Sequence, residues 1–363
     1  MSETIPTIAV RFSPAVEQVA PGEAETIAAL GETIAEIQTT TAKDYGSPVR
    51  GVHAKGHGLL KARVTILDSL APELAQGLFA TPGTHDAVMR FSTAPGDILD
   101  DSISSPRGLA IKVMDVLGDR LIGSEEDDCQ DFVLVNGPAF GNPTPEKFLP
   151  GLKLLAKTTD HVDGLKKIVS GALQAVEGAL ETVGVKSPLI ATLGGAPNTH
   201  PLGDIYFSQV PFRFGDYIAE FSVAPVSPFL IDLEGDKVTA SARPDALREV
   251  INEVIAVQGG EWEVRVQLCT DLDDMPVEDA SVIWDEGKSP FRAVARLTVS
   301  PQQTWEHGVS DTQEAELAFS PWHGLAAFQP LGGVNRARKP IYEQSHRFRG
   351  AADGCPIHAA LAS

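Results

Sequence analysis

The segment Arg338-Lys-Pro-Ile-Tyr342-Glu-Gln-Ser-His346-Arg-Phe-Arg349-Gly350 is the most informative stretch of this 363-residue chain. If it forms an α-helix, four of its side chains lie within about 80° of one another around the helix axis: Arg338, Tyr342, His346 and Arg349. They would share one narrow face. Nearby positive charge favours loss of a phenolic proton, so the pattern favours a tyrosine that ionises readily.

A tyrosine of this kind suits one class of ligand. Its phenolate is a hard anionic donor for ferric iron, and tyrosine is one of the few proximal ligands that proteins use for haem. Residues 336–349 also contain five Lys or Arg side chains, opposed only by Glu343. Such a cluster suits a dianion such as the haem propionates. Two alternatives are a basic amphipathic helix in which Tyr342 only packs, and a basic cluster at a subunit interface.

Other segments of the chain resemble the remaining motifs of the catalase superfamily, and the tyrosine segment resembles its proximal haem-ligand helix. In chain order they are Arg50-Gly-Val-His53-Ala-Lys-Gly-His-Gly, Arg90-Phe91-Ser92-Thr93, Pro106-Arg-Gly-Leu-Ala-Ile-Lys-Val and Asp131-Phe-Val-Leu-Val-Asn136-Gly-Pro138-Ala-Phe140. Five motifs in the family's order, spread from residue 50 to residue 350, make the chain similar to a small catalase-related haem peroxidase with a minimal catalase core.

The resemblance implies an α+β fold. Its core would be an eight-stranded antiparallel β-barrel with surrounding helices, and haem b would be buried between the barrel and the C-terminal helix. Apolar alternation independently predicts eight strands, which is enough to close an antiparallel barrel. The predicted strands are Leu59–Leu67, His85–Thr93, Gly108–Asp115, Asp131–Val135, Tyr206–Phe214, Tyr217–Ala224, Glu261–Thr270 and Arg292–Ser300.

The chain divides into an N-terminal arm, residues 1–48, and a haem-binding barrel domain, residues 49–363. Within the second unit a helical excursion covers residues 145–190, and the tyrosine helix covers residues 338–350. Helical periodicity predicts further helices at Glu23–Gln38, Pro145–Lys157, Val162–Val183 and Asp245–Val257. Because arms of this kind often pack on a partner subunit, we expect a homo-oligomer.

The resemblance assigns the metal ligand and the catalytic residues. Tyr342 would ligate the haem iron, and Arg338, four residues earlier, would hold it as tyrosinate by charge and hydrogen bonding. His53 would move the proton of the peroxide, a task suited to its near-neutral pKa. Ser92 would fix the orientation of His53, and Asn136 would supply an amide donor on the distal side.

The resemblance also assigns residues that would hold the cofactor. Guanidinium groups pair bidentately with carboxylates, so the haem propionates would be bound by Arg50, Arg90 and Arg349. His346 would contact a propionate or cap the helix. Phe140, and Phe148 eight residues later, would be aromatic residues facing the haem.

Two departures from the family pattern bear on the substrate. The family's distal asparagine aligns with Val135, and Asn136 follows one place later. Either a small bulge brings Asn136 into the pocket, or the distal side lacks its amide donor. After the tyrosine, Glu343-Gln344 replaces a proline and an aspartate of the large catalases. The pattern is closer to the small peroxidases and to the hydroperoxide-isomerising branch that includes allene oxide synthases.

We therefore predict a haem peroxidase that reduces organic hydroperoxides and, less well, hydrogen peroxide, through a ferryl intermediate and with a reducing co-substrate. One alternative is a true catalase that dismutates hydrogen peroxide. Another is a fatty-acid hydroperoxide isomerase or lyase, which needs no external reductant. A haem carrier or sensor without catalysis is the alternative outside enzymes.

Composition limits the partners and the location. A net charge of −20 argues against nucleic acid or an anionic membrane as a partner. No stretch has the roughly 18 apolar residues of a membrane span, and the N-terminal residues lack the charged region and apolar run typical of a secretory signal. Cys129, Cys269 and Cys355 have no metal-binding or paired spacing. We therefore expect reduced thiols and a cytoplasmic protein.

Overall fold

A closed ring of antiparallel strands is the centre of the fold in this computed structural model, which describes residues 9–158 and 198–350. The strands are β1 (Gly56–Ile66), β2 (Thr84–Thr93), β3 (Arg107–Val113), β4 (Gln130–Val135), β5 (Tyr206–Phe207), β6 (Phe212–Phe214), β7 (Tyr217–Pro225), β8 (Gly260–Leu268) and β9 (Arg292–Val299). Strands β1 to β5 pair in sequence, β5 pairs with β7, and β9 returns to β1. The predicted eight-stranded antiparallel barrel is confirmed.

The ninth strand arises from a break in one predicted strand. The segment expected to run from Tyr206 to Phe214 forms two short strands, β5 and β6, and β6 pairs only with β7 in the sheet. Between them Gln209 has a φ of 62°, a left-handed conformation that ends a strand. Its side-chain amide donates hydrogen bonds to the carbonyl oxygens of Gly137 and Ala139, at 3.0 and 2.9 Å.

Alternation along the strands separates the barrel interior from an outer face that carries polar residues. In β2, Met89 and Phe91 belong to the main hydrophobic core, whereas Arg90 and Ser92 lie on the opposite face. In β3, Leu109 and Ile111 belong to the core, and Gly108 and Ala110 lie outside it. Both faces of β2 and β3 are nevertheless buried, because other elements cover the outside of the barrel.

Helices of the described residues surround the barrel. They are α1 (Glu23–Tyr45), α2 (Pro145–Thr158), α3 (Pro228–Ile231), α4 (Ala246–Gln258), α5 (Val309–Glu316) and α6 (Gly332–Arg349). Helix α1 continues seven residues beyond its predicted end at Gln38. The predicted helix Val162–Val183 lies outside the described residues. None of the described helices is long and apolar enough to span a membrane.

Helix α6, the predicted tyrosine helix, begins six residues before Arg338, at Gly332. The sequence predicts a later start, because proline, here Pro340, is favoured in the first turn of a helix and because Gly332 and Gly333 have low helix propensity. The helix ends at Gly350, whose φ of 69° is the left-handed conformation of a glycine C-cap.

Helix α1 packs against α2 and α6 of its own chain. Apolar side chains fill this contact, including Ile34, Ile37 and Ala337. The amide of Gln38 donates to the Ser345 hydroxyl at 3.1 Å. These contacts fix α1 over the C-terminal helix, while the boundary predicted at residue 48 and the predicted oligomer stay predictions.

The expectation of three reduced cysteines is wrong for Cys129, which is fully buried and disulfide-bonded. Cys269 is buried and free, and Cys355 lies outside the described residues. Sequence spacing marks only recurrent local pairings, so it did not reveal this bond. The cysteine content of the chain therefore does not indicate a reducing compartment.

Candidate active site

A pocket lies between the outer face of the barrel and helix α6. Its empty space, counting the part that opens to solvent, is about 610 Å³. Six of the predicted site residues line it: Arg50, His53, Arg90, Ser92, Tyr342 and His346. Ile34 of α1 and Phe319 add apolar surface. Residues from both ends of the chain therefore meet in one cavity.

Helix α6 contributes the tyrosine wall of the pocket. The guanidinium of Arg338, one turn before Tyr342, has its Nη2 3.3 Å from the Tyr342 hydroxyl oxygen. Its Nη1 donates to the side-chain oxygen of Asn335 at 3.2 Å. Asn335 is fully buried and donates to the carbonyl oxygens of Pro211 and Leu331, at 3.0 and 3.1 Å. Asn335 thus holds the guanidinium of Arg338 beside the Tyr342 hydroxyl.

His346 lies one turn further along the same helix. It is buried, and its ring centroid lies 6.3 Å from that of Tyr342. Burial, and then the charge of Arg349, lower the pKa of His346 to about 3. The imidazole is therefore neutral at physiological pH.

His53 enters the pocket from the segment before β1. Its φ of 53° is left-handed, a conformation that non-glycine residues rarely adopt. Two backbone hydrogen bonds hold it: its N–H donates to the Ala94 carbonyl at 2.9 Å, and its carbonyl accepts from Arg90 at 2.8 Å. Its ring Nδ1 lies 3.0 Å from the Ser92 hydroxyl oxygen. Burial, followed by the charges of Arg90, Arg338 and Arg50, lowers the pKa of His53 to about 3, so the near-neutral pKa expected from the sequence is wrong.

Gly108 of β3 makes room for the His53–Ser92 pair. A Cβ at this position would lie 2.5 Å from two ring atoms of His53 and 3.0 Å from the Ser92 oxygen. Sequence reasoning used Gly108 only as part of a strand motif and missed this role. A glycine inside an apolar strand signals close approach by another group, and that signal was available.

The three arginines that were predicted to bind the haem propionates lie close together. They surround a carboxylate that belongs to the chain itself. Glu314 of α5 accepts a hydrogen bond from Arg90 Nε at 2.6 Å, a second from Arg90 Nη2, and one from Arg50 Nη1 at 3.2 Å. Arg349 donates to the carbonyl oxygens of Ala315 and Leu317 at 3.1 and 3.3 Å. Sequence reasoning missed Glu314, because one glutamate in a polar helix carries no distinguishing pattern.

Asn136 is held away from the lining of the pocket. Its side-chain oxygen accepts from the Arg107 backbone N–H at 2.8 Å, and its amide donates to Asp204 at 3.1 Å. Val135 precedes it and pairs with Gly108, so the two lie on the same face of the sheet. The apolar Val135 therefore stands next to the glycine that faces His53, and a distal amide role for Asn136 stays a prediction.

Phe140 and Phe148 contact each other rather than the pocket. Their ring centroids are 5.0 Å apart, in an edge-to-face arrangement. Phe140 packs against the barrel core, and Phe148 packs against the cluster between α1 and α6. Neither lines the cavity, and their predicted contact with haem stays a prediction.

Comparison with known proteins identifies the fold. No family model and no curated protein sequence matches the chain. Solved structures do match: a fungal catalase (20% identity, TM-score 0.59, 85% of this chain and 60% of that one) and catalase A from Saccharomyces cerevisiae (17%, 0.58, 95% and 68%). A bacterial catalase matches at 17% identity and TM-score 0.57, over 85% of this chain and 59% of that one.

The chain therefore has the catalase fold, as its sequence motifs predicted. It spans about 60% of the length of the fungal catalase.

Proposed function

We propose that the chain binds haem b in this pocket and reduces hydroperoxides with it, organic hydroperoxides in preference to hydrogen peroxide. One observation carries the proposal. Tyr342, beside Arg338, and His53, hydrogen-bonded to Ser92, line the same cavity from different elements. A structural tyrosine and a structural histidine have no reason to share a pocket with a cluster of carboxylate-binding arginines.

The residues of the pocket fit a haem group in three respects. Tyr342 supplies an oxygen donor suited to ferric iron, with Arg338 placed to stabilise its charge. Apolar residues such as Val133 and Ile341 form much of the remaining lining, which suits a porphyrin ring. The carboxylate of Glu314 binds at the arginine cluster, and the buried Arg349 Nε has no hydrogen-bond partner among the described residues.

Bound haem would supply the redox chemistry for cleavage of the O–O bond. The chain's own residues would bind it and handle the proton. Tyr342 would hold the iron, and Arg338 would keep the phenolate charged. His53 would take the proton from one peroxide oxygen and return it to the leaving oxygen. In the tautomer with the proton on Nδ1, that N–H would donate to the Ser92 oxygen 3.0 Å away and leave the unprotonated Nε2 of His53 for this transfer.

The preference for organic hydroperoxides rests on the distal side of the pocket. The Asn136 amide is engaged by Asp204, and Val135 presents an alkyl group beside Gly108. A site without a free amide positions hydrogen peroxide less well. An alkyl or lipid hydroperoxide can instead be held by apolar contact. The same features suit a hydroperoxide isomerase, which remains the second candidate.

Product analysis of the haem-loaded protein tests the proposal. Oxidation of a reducing donor by an alkyl hydroperoxide is the expected result. Vigorous oxygen release from hydrogen peroxide with little donor oxidation would indicate a catalase. An epoxide or aldehyde formed from a lipid hydroperoxide without a donor would indicate an isomerase or lyase.

Replacement of the ligand tests haem binding separately. Tyr342→Phe removes the oxygen donor and keeps the ring, so haem should be lost or its absorption spectrum should change. Tyr217→Phe is a matched control, because Tyr217 also stacks with an arginine, Arg11, but lies outside the pocket. An unchanged high-spin ferric spectrum in Tyr342→Phe would remove the basis of the proposal.

A further inference from the structure

Glu314 occupies the centre of the cluster that was predicted to bind haem propionates. Its side chain is 12% exposed, and those of its partners Arg50 and Arg90 are 14% and 3% exposed. One oxygen, Oε1, accepts from both arginines. The carboxylate thus uses the hydrogen-bonding groups that a propionate would need, because guanidinium binds any carboxylate by the same fork of donors.

The end of α5 is fastened to the same cluster. Arg50 Nη2 donates to the carbonyl oxygens of Glu314 and Leu317, at 2.8 and 2.9 Å. Arg349 reaches the Leu317 carbonyl as well. Contacts from arginines to the last residues of the eight-residue helix α5 and to the carboxylate of Glu314 therefore hold the end of this helix.

The cluster has more positive charge than Glu314 balances. Arg50, Arg90 and Arg349 face one carboxylate. Burial, and then the repulsion between these arginines, lowers the pKa of Arg349 to about 10 and that of Arg50 well below its usual range. The Arg349 Nε is buried without a hydrogen-bond partner among the described residues. This unused donor is an independent sign that the cluster can accept a further anion.

We infer that Glu314 is an internal competitor for the propionate-binding site: it holds Arg50 and Arg90 in place when no cofactor is bound and is displaced by a haem propionate. This inference rests on the proposed haem binding, and it adds that Glu314 weakens the binding by competing for the same arginines. The Glu314 carboxylate lies close to β1 at a glycine: a Cβ on Gly56 would be 2.5 Å from its Oε1. Displacement would release the end of α5 from its carboxylate contact.

Removal of the negative charge tests the competition. Purified cofactor-free protein is titrated with haemin, and binding is followed by tryptophan fluorescence and haem absorbance. Glu314→Gln should bind haemin about tenfold more tightly than the parent, or more, since roughly one charge-assisted hydrogen bond no longer has to be replaced. Glu316→Gln is the matched control, because Glu316 lies on the same helix and is exposed. Its affinity should equal that of the parent.

A second ligand distinguishes competition for the propionate-binding arginines from a general effect of the substitution on the pocket. Haemin dimethyl ester has no propionate charge, so Glu314→Gln should not gain affinity for it. Thermal unfolding gives a readout without activity: cofactor-free Glu314→Gln should melt below the parent, and haemin should restore more of its stability. Glu314→Asp keeps the charge on a shorter side chain and covers the case in which Glu314→Gln does not fold. Its haemin affinity should lie between those of parent and Glu314→Gln.

The outcomes distinguish the inference from the proposed function. If haemin binds the parent, and the variants of Glu314 bind it equally or more weakly, Glu314 is a fixed counter-ion and the inference is wrong. An equal gain for the dimethyl ester would also overturn it. If neither the parent nor any variant binds haemin, the proposed function fails, and the inference fails with it.

Discussion

Replacing Gly108 by alanine should disable the site without removing the cofactor. The added Cβ would lie 2.5 Å from Cε1 and Nδ1 of His53, where 3.4 Å is an ordinary contact. The ring would have to move by about 1 Å. It cannot move freely, because its backbone is held in a left-handed conformation and its Nδ1 is bonded to Ser92. A misplacement of about 1 Å can cost about 100-fold in rate.

We therefore expect kcat/KM for donor oxidation by an alkyl hydroperoxide to fall about 100-fold in Gly108→Ala. The free energy of unfolding should fall by about 1–3 kcal/mol, which is typical of overpacking. Haem content should stay that of the parent, because the substitution leaves Tyr342 and its partner Arg338 on α6 unchanged. Urea unfolding, haem absorbance and steady-state kinetics measure the three quantities on one preparation.

Gly83→Ala is the matched control, since a Cβ there would meet no atom within 4 Å. It should change none of the three quantities. Parent-like kcat/KM in a fully haem-loaded Gly108→Ala protein would show that the close approach of His53 and Ser92 is not needed for turnover.

Three further predictions follow from the site and the barrel. His53→Ala should retain haem and lose about 10²–10⁴-fold in peroxide-dependent donor oxidation; His307→Ala, at an exposed histidine, serves as the control, and equal losses would make His53 structural. Val135→Asn should raise oxygen release from hydrogen peroxide relative to donor oxidation by an alkyl hydroperoxide, and an unchanged ratio would exclude Val135 as a determinant. Burial raises the pKa of Glu220 from 4.5 to about 8. Between pH 4.5 and pH 8 the unfolded chain therefore binds fewer protons at this residue than the folded chain does. The free energy of unfolding falls with rising pH in this range, by up to about 1.4 kcal/mol per pH unit. Glu220→Gln should remove this slope in urea unfolding at pH 5 and pH 8, and an unaltered slope would contradict the shift.

Much of the barrel could be predicted because its strands alternate between a packed interior and an outer face. The break at Gln209 escaped prediction, since a left-handed residue other than glycine has no reliable sequence mark. The early start of α6 escaped for a related reason: Gly332 and Gly333 are poor helix formers, and they become helical through tertiary contacts. The backbone N–H groups of both are satisfied by glutamates far away in the sequence, Glu17 and Glu278.

The residues of the candidate site likewise include some that the sequence predicted and some that it did not. His53, Ser92 and Tyr342 stand in motifs that resemble those of the catalase superfamily, and the structure brings all three to one pocket. Sequence alone left two possibilities for Asn136, because a shift of one residue on a strand reverses the face. Only the contact with Asp204 shows where its amide lies. The place of Glu314 in the site depends on its contact with Arg90, which is distant in the sequence, and no local sequence pattern predicts such a contact.

The contact between the first and last helices has a consequence for the order of folding. Gln38 and Ser345 meet across 307 positions of sequence, and Gln344 and Gly31 across 313. Contacts between such distant segments form slowly, because the intervening chain must first be ordered. We expect the barrel to close first and the Ile34 wall of the pocket to be added last. In pulsed hydrogen exchange during refolding, amides of α1 should gain protection after those of β2. The cavity would then stand open during assembly, which gives a bulky planar ligand a way in before α1 closes over it.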